Sequence, residues 1–253
     1  MITIKSEREI LLMRQAGLIV YKAHQVVLPW IKPGVSTHEL DDIIESAIRK
    51  MSATPSFKNY NGFPAASCIS INEEVIHGIP SKKKILKEGD LVSIDIGANY
   101  KGYHGDSAWS YGCGKVSEET RRLLEGTKAS LFEGLKQAKA GNRLSDISHA
   151  IQMYAEGLGF SVVREFVGHG IGKNLHEDPA IPNYGLPGRG VILRPGMTIA
   201  IEPMINFGRK EVRVLADGWT TITADGSLSA HFEHTVLITE TGCDIFTTQG
   251  KEE

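Results

Sequence analysis

The feature that most constrains the fold is an internal similarity at one fixed offset along the chain. The segment LKEGDLVSIDI, which begins at Leu86, aligns with LRPGMTIAIEP, which begins at Leu193. At this offset Asp95 falls on Glu202, and an earlier loop and helix also meet their counterparts. Similarity at a constant spacing indicates two copies of one structural unit. Each copy would deliver one acid from the end of an equivalent strand.

Two such copies, related by an approximate two-fold axis, would pack their sheets together with the helices outside and a site on the axis. We therefore predict one α+β domain over residues 1–253, with a pseudo-repeat of approximately 1–112 and 113–248. Coincidence remains the alternative, since a glycine before an apolar run is common. Residues 249–253 are expected to form a frayed tail.

Local signals place the first elements. Ser6 and Glu9 fit a capping box for a helix reaching about Leu28, and Ser36 and Glu39 fit a second box before another helix. The run CISINEEVIHGI, residues 68–79, alternates as a strand or hairpin does. Helices and strands of this kind agree with an α+β fold.

Composition excludes several functional classes. A net charge of −2 over 253 residues provides no electrostatic case for binding nucleic acid or a membrane surface. Three cysteines without metal-binding spacing indicate neither a disulfide framework nor a zinc finger, and they favour a reducing compartment. The N-terminal segment has charged residues within its apolar pattern, unlike a signal peptide, and no apolar run is long enough to span a bilayer. A cytoplasmic location is predicted.

Two acids occupy a predicted hairpin, SIDIGANYKGYHGDSA, where an ordinary sheet would not tolerate them. If the turn is centred between Tyr100 and Lys101, Asp95 and Asp106 become direct cross-strand partners. Such partners have Cβ atoms about 4.5 to 5.5 Å apart, and like charges there are destabilising. At about 5 Å and an effective dielectric constant of about 20, the repulsion is roughly 3 kcal/mol. Either a proton or a divalent cation would relieve it; alternatively, the turn is bulged and Asp106 faces solvent.

Three more candidate metal ligands lie in the second half. His169 stands between two glycines in VGHGIGKNLHE, Glu202 ends an apolar strand before Pro203, and Glu233 begins another apolar run. Flanking glycines would let the backbone turn sharply and leave the imidazole approachable, although a lone histidine in a turn is more often incidental. Buried acids without partners are costly, so several strands each carrying one indicate a common site. The GxGxxG-like spacing is not read as a dinucleotide site, because no strand–turn–helix unit surrounds it.

The other histidines differ in their expected roles. His77 precedes a tight turn, and His176 follows His169 by seven residues. The histidines on predicted helices are expected to be solvated or to cap helix ends: His24, His38 and His149. The histidines beside candidate ligands are expected to support the site at most: His104, His231 and His234.

The donor set has four carboxylates and one imidazole: Asp95, Asp106, His169, Glu202 and Glu233. This ratio favours two divalent ions of cobalt, manganese, iron or zinc over one zinc held by nitrogen and sulfur. Two such ions can share a water molecule, lower its pKa and polarise a carbonyl group.

This ordered set, with HGIP and GHGIG around its histidines, resembles methionine aminopeptidase of type I over essentially the whole chain. The resemblance implies the pita-bread fold, with two pseudo-symmetric halves, an antiparallel sheet core and outer helices. It also implies a dinuclear-metal hydrolase that removes the initiator methionine when the second residue is small. The partners would be the N-termini of nascent polypeptides. Contact with the ribosome would suit that substrate, and we expect a monomer.

The resemblance assigns roles by position. Asp95 would bind one ion, Asp106 and Glu233 would bridge both, and His169 with Glu202 would complete the other. Glu202 would also relay a proton. His77 would contact the scissile amide or its leaving nitrogen, and His176 would stabilise the oxyanion. The methionine pocket would consist of Tyr60, Phe63, Cys68, Leu175 and Trp219.

Some positions depart from the family or leave its pattern open. Some members carry tyrosine and phenylalanine where Phe63 and Leu175 stand, which puts the pocket's shape in doubt. Asn72 and Ser229 match a monovalent-cation site of the family, and a plain loop role suits them equally well. The interval from His169 to Glu202 is too short for the helical insertion of type II relatives. No zinc-binding N-terminal extension is expected.

Two alternatives accompany this prediction. A proline-specific peptidase of the same fold would prefer Xaa-Pro substrates, although such enzymes usually carry an N-terminal domain. A non-catalytic pita-bread module would bind other proteins, but such modules have lost several metal ligands, whereas all five are present here.

Overall fold

The structure, a computed structural model, describes residues 2–249. Residues 250–253 of the expected tail lie outside the described residues. The helices are α1 (Glu7–Val27), α2 (Thr37–Lys50), α3 (Glu118–Gln137) and α4 (Leu144–Gly157), with short 3-10 helices at Leu28–Trp30 and Tyr60–Gly62. The strands are β1 (Thr54–Pro55), β2 (Ser67–Ile71), β3 (Glu74–Ile76), β4 (Leu91–Tyr100), β5 (Tyr103–Gly112), β6 (Ser161–Val162), β7 (Gly168–Gly170), β8 (Glu177–Ile181), β9 (Thr198–Ile201), β10 (Met204–Asn206), β11 (Val212–Val214), β12 (Thr221–Thr223), β13 (Ser229–His231), β14 (His234–Ile238) and β15 (Cys243–Ile245).

The strands form antiparallel sheets. In the first half β4 lies between β1 and β2 and also pairs with β5. In the second half five strands follow the order β15-β14-β9-β7-β8, and a smaller sheet has the order β13-β10-β6. A third small sheet, β11-β12-β3, combines strands from both halves. This arrangement of helices and antiparallel sheets confirms the predicted α+β class.

The helix starts follow the sequence signals. The Glu9 carboxylate accepts a hydrogen bond from the Ser6 backbone N–H at 2.8 Å, and Glu39 accepts one from Ser36 at the same distance. These contacts satisfy backbone donors that the first helical turn leaves unpaired. The predicted strand or hairpin at residues 68–79 lies largely in β2 and β3, which pair with β4 and β12 rather than with each other.

Each half buries its own apolar core between helices and sheet. The core of the first half includes Ile19, Val20, Leu40, Ile44, Ile69, Ile94 and Ile96 from α1, α2, β2 and β4. The core of the second half includes Leu123, Leu131, Ile147, Ile151, Ile199, Ile201 and Val236 from α3, α4, β9 and β14. Burial of these side chains holds the helices on the outside and leaves the opposite sheet faces toward the middle of the molecule.

The offset that aligns Leu86 with Leu193 in the sequence is also present in the backbone. The same offset carries the first and last residues of α2 onto those of α4, and those of β1 onto those of β6. An isolated bridge joins Ser36 to Ile85, and a second joins their counterparts, Arg143 and Ile192. The matched elements therefore share hydrogen-bonding geometry as well as sequence.

The predicted register of the β4–β5 hairpin is wrong. Asp95 pairs with Ala108, and Asp106 pairs with Gly97, so the two acids are diagonal neighbours on one face. The reason is the turn: Lys101 and Gly102 have φ values of 51° and 89°, which is the geometry of a two-residue hairpin loop. Moving the turn centre by one residue shifts the pairing by two, which preserves the face.

The expectation that His24 is solvated or caps a helix is also wrong. Its side chain is buried because α1 lies against β5. Its Nε2–H donates to the carbonyl oxygen of Ser107 at 3.0 Å, since a carbonyl can only accept, and Nδ1 then accepts from the Tyr111 hydroxyl. Burial lowers the pKa of His24 to about 4. A neutral histidine therefore ties α1 to the strand that carries Asp106.

A small residue is required where α1 crosses β5. A Cβ atom built at Gly105 would lie 2.6 Å from the backbone nitrogen of Gly17. We expect Gly105→Ala to lower the free energy of unfolding by about 1 to 3 kcal/mol, because backbone atoms must separate to admit the methyl group. Urea denaturation measures this loss.

The matched control is Gly157→Ala at the exposed end of α4, where no atom lies within 4 Å of the added Cβ. It should leave stability unchanged or raise it slightly, since alanine favours helix. Equal effects of the two substitutions would contradict the close helix–strand approach.

Candidate metal centre

A cavity of about 380 Å³ brings the predicted site residues together. It is lined by all five predicted metal ligands, both predicted catalytic histidines and all five predicted pocket residues, namely Tyr60, Phe63, Cys68, His77, Asp95, Asp106, His169, Leu175, His176, Glu202, Trp219 and Glu233. Phe57 and Asn61 also line it and were not predicted. The loop that carries them could have been suspected from Asn59, Asn61 and Gly62, which favour left-handed backbone.

The four acids come from two kinds of backbone. Asp95 and Asp106 lie within the continuous strands β4 and β5. Glu202 lies between β9 and β10, and Glu233 lies between β13 and β14. Since β9 pairs with β14 in one sheet and β10 pairs with β13 in another, both glutamates stand where the chain passes between sheets. Pro203 contributes to the break, because it cannot donate to a ladder.

Backbone contacts fix the two halves relative to each other at the acids. Glu233 donates its N–H to the carbonyl of Ala108 at 2.8 Å, and its own carbonyl accepts from the Ser107 hydroxyl at 2.6 Å. The Thr235 hydroxyl accepts from the Asp106 N–H and donates to the Asp106 carbonyl, at 3.0 and 2.8 Å. These contacts hold Asp106 and Glu233 close together without using their carboxylates.

His169 presents an unprotonated nitrogen to the acids. Its Nδ1 lies 2.8 Å from the Gly170 carbonyl oxygen, which can only accept, so Nδ1 carries the proton. Its Nε2 lone pair therefore faces Asp106 Oδ2 at 3.9 Å and Glu202 Oε1 at 3.6 Å. A lone pair directed at carboxylate oxygens is unfavourable unless a cation lies between them or a carboxyl group carries a proton.

The glycines beside His169 serve a different purpose from the sharp turn that the sequence suggested. A Cβ atom at Gly168 would lie 2.4 Å from the Ala200 carbonyl oxygen, and one at Gly170 would lie 2.1 Å from the Asp178 oxygen. The glycines are therefore required because β7 is tightly enclosed by its neighbours β9 and β8.

The carboxylates lack the partners that buried charges need. Asp106 and Glu233 are buried, and the atoms Asp95 Oδ1, Asp106 Oδ1 and Glu233 Oε1 have no hydrogen-bond partner among the described residues. Loss of solvent raises the pKa of Asp95 to about 7 and that of Glu202 to about 8, and it raises the pKa values of the other two well above the usual range. Neighbouring carboxylates add to the shifts of Asp106 and Glu233.

These residues fit a divalent metal ion. Ligand atoms of Asp106, His169 and Glu233 all lie within 4.8 Å of one another. Carboxylate oxygens with one imidazole nitrogen suit manganese, iron, cobalt or zinc. Bound cations would satisfy the orphaned oxygens and the His169 lone pair together, and would favour the ionised carboxylates.

Two histidines stand at the border of the carboxylate cluster. His77 has a φ of 58° and packs edge-on against Phe166 and Trp219, with ring centroids 5.6 and 6.2 Å away. Burial lowers its pKa to about 4, so it is neutral. The His176 ring lies 4.2 Å from that of His169, and its Nδ1 shares a hydrogen bond with the Tyr60 hydroxyl at 2.8 Å.

The other end of the cavity is apolar. Phe63 and Trp219 meet edge to face with centroids 5.2 Å apart, and Phe63, Cys68 and Leu175 are buried. Cys68 lies opposite Asp95 across β2 and β4, and burial raises the pKa of its thiol. The thiol is therefore protonated and behaves as an apolar group.

The three histidines beside candidate ligands have different environments. His104 bonds to Ser56 and Asn99 at 2.8 and 2.9 Å, and His234 bonds to Thr247 at 2.7 Å. His231 is buried, and its Nε2 lies 3.4 Å from Glu202 Oε2. Of these three, His231 contacts a candidate metal ligand.

Asn72 and Ser229 also meet. The Ser229 N–H donates to the Asn72 carbonyl oxygen at 2.9 Å. The Asn72 side chain bonds instead to Asp90 and to the Leu91 N–H, both at 2.9 Å. The Asn72 amide is thus used in the turn before β4, and backbone oxygen is the group left for a monovalent cation.

None of the helices within residues 2–249 has the length and apolar character required to cross a bilayer.

The raised carboxyl pKa values predict how stability depends on pH in chelator-treated protein. Above about pH 7.5 the histidines are largely neutral in the folded and unfolded states, and unfolded carboxyls have already lost their protons. Folded Glu202 still holds its proton up to about pH 8, and burial raises the pKa values of Asp106 and Glu233 well above the usual range. Raising the pH from about 7.5 to about 8.5 should therefore lower the free energy of unfolding, by roughly 1 to 3 kcal/mol.

Urea denaturation across this pH range measures the effect. Saturating Mn²⁺ should abolish it, and Glu202→Gln should reduce it, whereas Glu240→Gln on the exposed surface should not. Stability that stays level or rises with pH in metal-free protein would contradict the environment described for these acids.

Comparison with known proteins identifies relatives of this chain. The sequence model of metallopeptidase family M24 matches residues 11–240. Methionine aminopeptidase 1 of Bacillus subtilis is 58% identical over 247 residues, which cover 98% of this chain and 99% of that protein. A crystal structure of methionine aminopeptidase from Thermotoga maritima matches with a TM-score of 0.97 and 48% identity, covering 98% of this chain and all of the other.

Proline-specific enzymes are more distant. The prolidase from Pyrococcus furiosus matches with a TM-score of 0.80 and 26% identity, covering 98% of this chain and 66% of its own. These matches confirm the pita-bread fold and favour the methionine aminopeptidases over the proline peptidases. The chain therefore belongs to metallopeptidase family M24 and, within it, to the methionine aminopeptidases.

Proposed function

We propose that this chain is a hydrolase that removes the initiator methionine from polypeptides whose second residue is small, with the aid of two divalent ions. The observation that carries the proposal is one cavity whose carboxylate-lined end adjoins an apolar end. The high identity to methionine aminopeptidases over nearly the whole chain supports it.

The ligand assignment follows the positions of the donors. Asp95 would hold one ion, Asp106 and Glu233 would bridge two, and His169 with Glu202 would complete the second site. The orphaned carboxylate oxygens and the lone pair of His169 support this assignment. When bound, the ions would supply Lewis acidity that polarises the scissile carbonyl and lowers the pKa of a water molecule. Their identity is proposed as cobalt, manganese, iron or zinc.

The apolar end would hold the methionine side chain. Phe63 and Trp219 offer aromatic surfaces at the edge-to-face angle described above, and a thioether sulfur interacts favourably with such rings. Tyr60, Cys68 and Leu175 complete the pocket. Because these walls are apolar, a polar first side chain would lose hydrogen bonds to water without replacement.

The remaining roles concern protons and hydrogen bonds. Glu202 would take a proton from the attacking water and deliver it to the leaving amine. His77, which is neutral, would hydrogen-bond the scissile amide or its leaving nitrogen. His176 would donate to the oxyanion, since the Tyr60 contact at Nδ1 fixes its ring and leaves Nε2 available.

The location, oligomeric state and partners of the protein remain predictions from the sequence and the proposed substrate. We propose a cytoplasmic monomer that acts on nascent polypeptide N-termini, with residues 1–253 as a single catalytic domain. The proposed contact with the ribosome is based only on the nascent polypeptide substrate. A monovalent cation at Asn72 and Ser229 would use the Asn72 backbone, since its side chain is engaged in the turn.

Metal-loaded protein should cleave Met-Ala-Ser and should cleave Met-Leu-Ser poorly, because the proposed activity requires a small second residue. Chelation should abolish cleavage, and metal analysis should find two ions per chain. Asp106→Asn should lower kcat/KM by roughly 100-fold or more, since it removes a proposed bridging ligand.

Asp42→Asn on the exposed side of α2 is the matched control and should retain activity. Cleavage by chelated protein at the original rate would contradict the proposed metal-dependent mechanism. Preference for Xaa-Pro over Met-Ala peptides would move the assignment to the proline peptidases.

The Tyr60 hydroxyl provides a second test. Tyr60→Phe keeps the pocket wall but removes the partner of His176 Nδ1. We expect kcat on Met-Ala-Ser to fall by about 10-fold with KM little changed, because the oxyanion donor loses its fixed orientation. Tyr154→Phe on α4, away from the cavity, should have no effect. A rise in KM alone would indicate that Tyr60 acts only in methionine binding.

A further inference from the structure

His231 occupies a fixed position beside the proposed metal site. It is the last residue of β13 and pairs with Met204 on β10. The Ser110 hydroxyl on β5 accepts from its backbone N–H at 2.9 Å and donates to its carbonyl oxygen at 2.8 Å. Ser93 on β4 supports that hydroxyl at 2.7 Å. The backbone of His231 is therefore held to the hairpin that carries Asp95 and Asp106.

The imidazole of His231 has an unused nitrogen directed at the cluster. The residue is 2% exposed, and its Nε2 has no hydrogen-bond partner among residues 2–249. Glu202 Oε2 lies 3.4 Å from this atom. A buried polar atom left unpaired is costly, so small movements that complete this contact are favourable.

The pseudo-symmetry shows why a side chain at this position faces the cluster. Gly97 pairs with Asp106 in the first half. The offset between the halves carries Gly97 onto Met204, which pairs with His231 in the second half. His231 therefore stands where Asp106 stands in the other half. The second half presents an imidazole at this place instead of a fifth carboxylate.

Glu202 consequently lies between two imidazoles. Its Oε1 faces His169 Nε2 at 3.6 Å, and its Oε2 faces His231 Nε2 at 3.4 Å. His169 cannot donate from Nε2, because its proton is on Nδ1. Of these two rings, His231 is the one that can offer an N–H to Glu202.

We propose that His231 is a positioning residue whose Nε2–H donates to Glu202 Oε2 and fixes that carboxylate for ion binding and proton relay. The inference rests on the proposed function, since it assigns a role around the same ions. This role differs from that of a metal ligand. The His231 N–H would point at Glu202 Oε2, while Glu202 Oε1 remains free to face the ion. Partners of this kind set the orientation of metal ligands.

The test compares His231→Leu, which removes the donor, with His231→Gln, whose terminal amide can reach the same place. Mn²⁺ binding is measured by isothermal titration calorimetry, and the visible spectrum of Co²⁺-loaded protein reports ligand geometry. We expect His231→Leu to weaken one Mn²⁺ site by about 10- to 100-fold, to change the Co²⁺ spectrum and to lower kcat on Met-Ala-Ser with KM nearly unchanged. His231→Gln should restore most of each property.

His38→Gln on α2 is the control for a histidine change elsewhere and should match the unaltered protein. If His231→Leu does not fold, His231→Gln is compared with His231→Asn, whose amide is one methylene shorter and should bind Mn²⁺ more weakly. The proposal is overturned if His231→Leu binds Mn²⁺ as tightly as the unaltered protein does. It is also overturned if His231→Gln binds Mn²⁺ as weakly as His231→Leu, or no more tightly than His231→Asn. Failure of the unaltered protein to bind any of Mn²⁺, Co²⁺, Fe²⁺ and Zn²⁺ would overturn the proposed function, and this inference with it.

Discussion

The structure depends on a cluster of four carboxylates that are largely withdrawn from water around one imidazole lone pair. Burial raises the pKa of each acid, and three of their oxygens have no partner among the described residues. Ordinary sheets avoid this arrangement because an isolated buried charge is costly. The two apolar cores behind the sheets offset that cost and hold the acids in place for the proposed cations. The site is therefore preorganised by the fold rather than assembled by the ligand.

The two halves contribute to the cluster in different ways. The first half supplies Asp95 and Asp106 from a continuous hairpin of two ten-residue strands. The second half supplies Glu202 and Glu233 from places where strands change sheets. Hydrogen bonds from Ser107 and Thr235 join the two sources through backbone atoms, so the carboxylates themselves remain available. The two halves thus provide strands at matching positions, whereas the donors that these strands carry differ.

Much of this arrangement could be predicted from the sequence, because acids in apolar runs and a constant offset are both visible in the residue order. The register of the hairpin could not be predicted, because it depends on a left-handed backbone conformation at Lys101, and a lysine does not indicate that conformation. The burial of His24 could not be predicted either, because it depends on α1 crossing β5. The contact of His231 with Glu202 depends on the pairing of β13 with β10, and the local sequence around each residue contains no signal of the other.

The passage of the chain between sheets at Glu202 and Glu233 bears on metal preference. Asp95 and Asp106 keep a spacing that one hairpin sets, whereas the separation of the two glutamates from them follows the spacing between sheets. For the proposed ions, the ionic radius that fits best would therefore depend on how the sheets pack as well as on the five candidate donors. Relatives with identical ligands but different packing behind β9 and β14 would be expected to select different metals from the same cell.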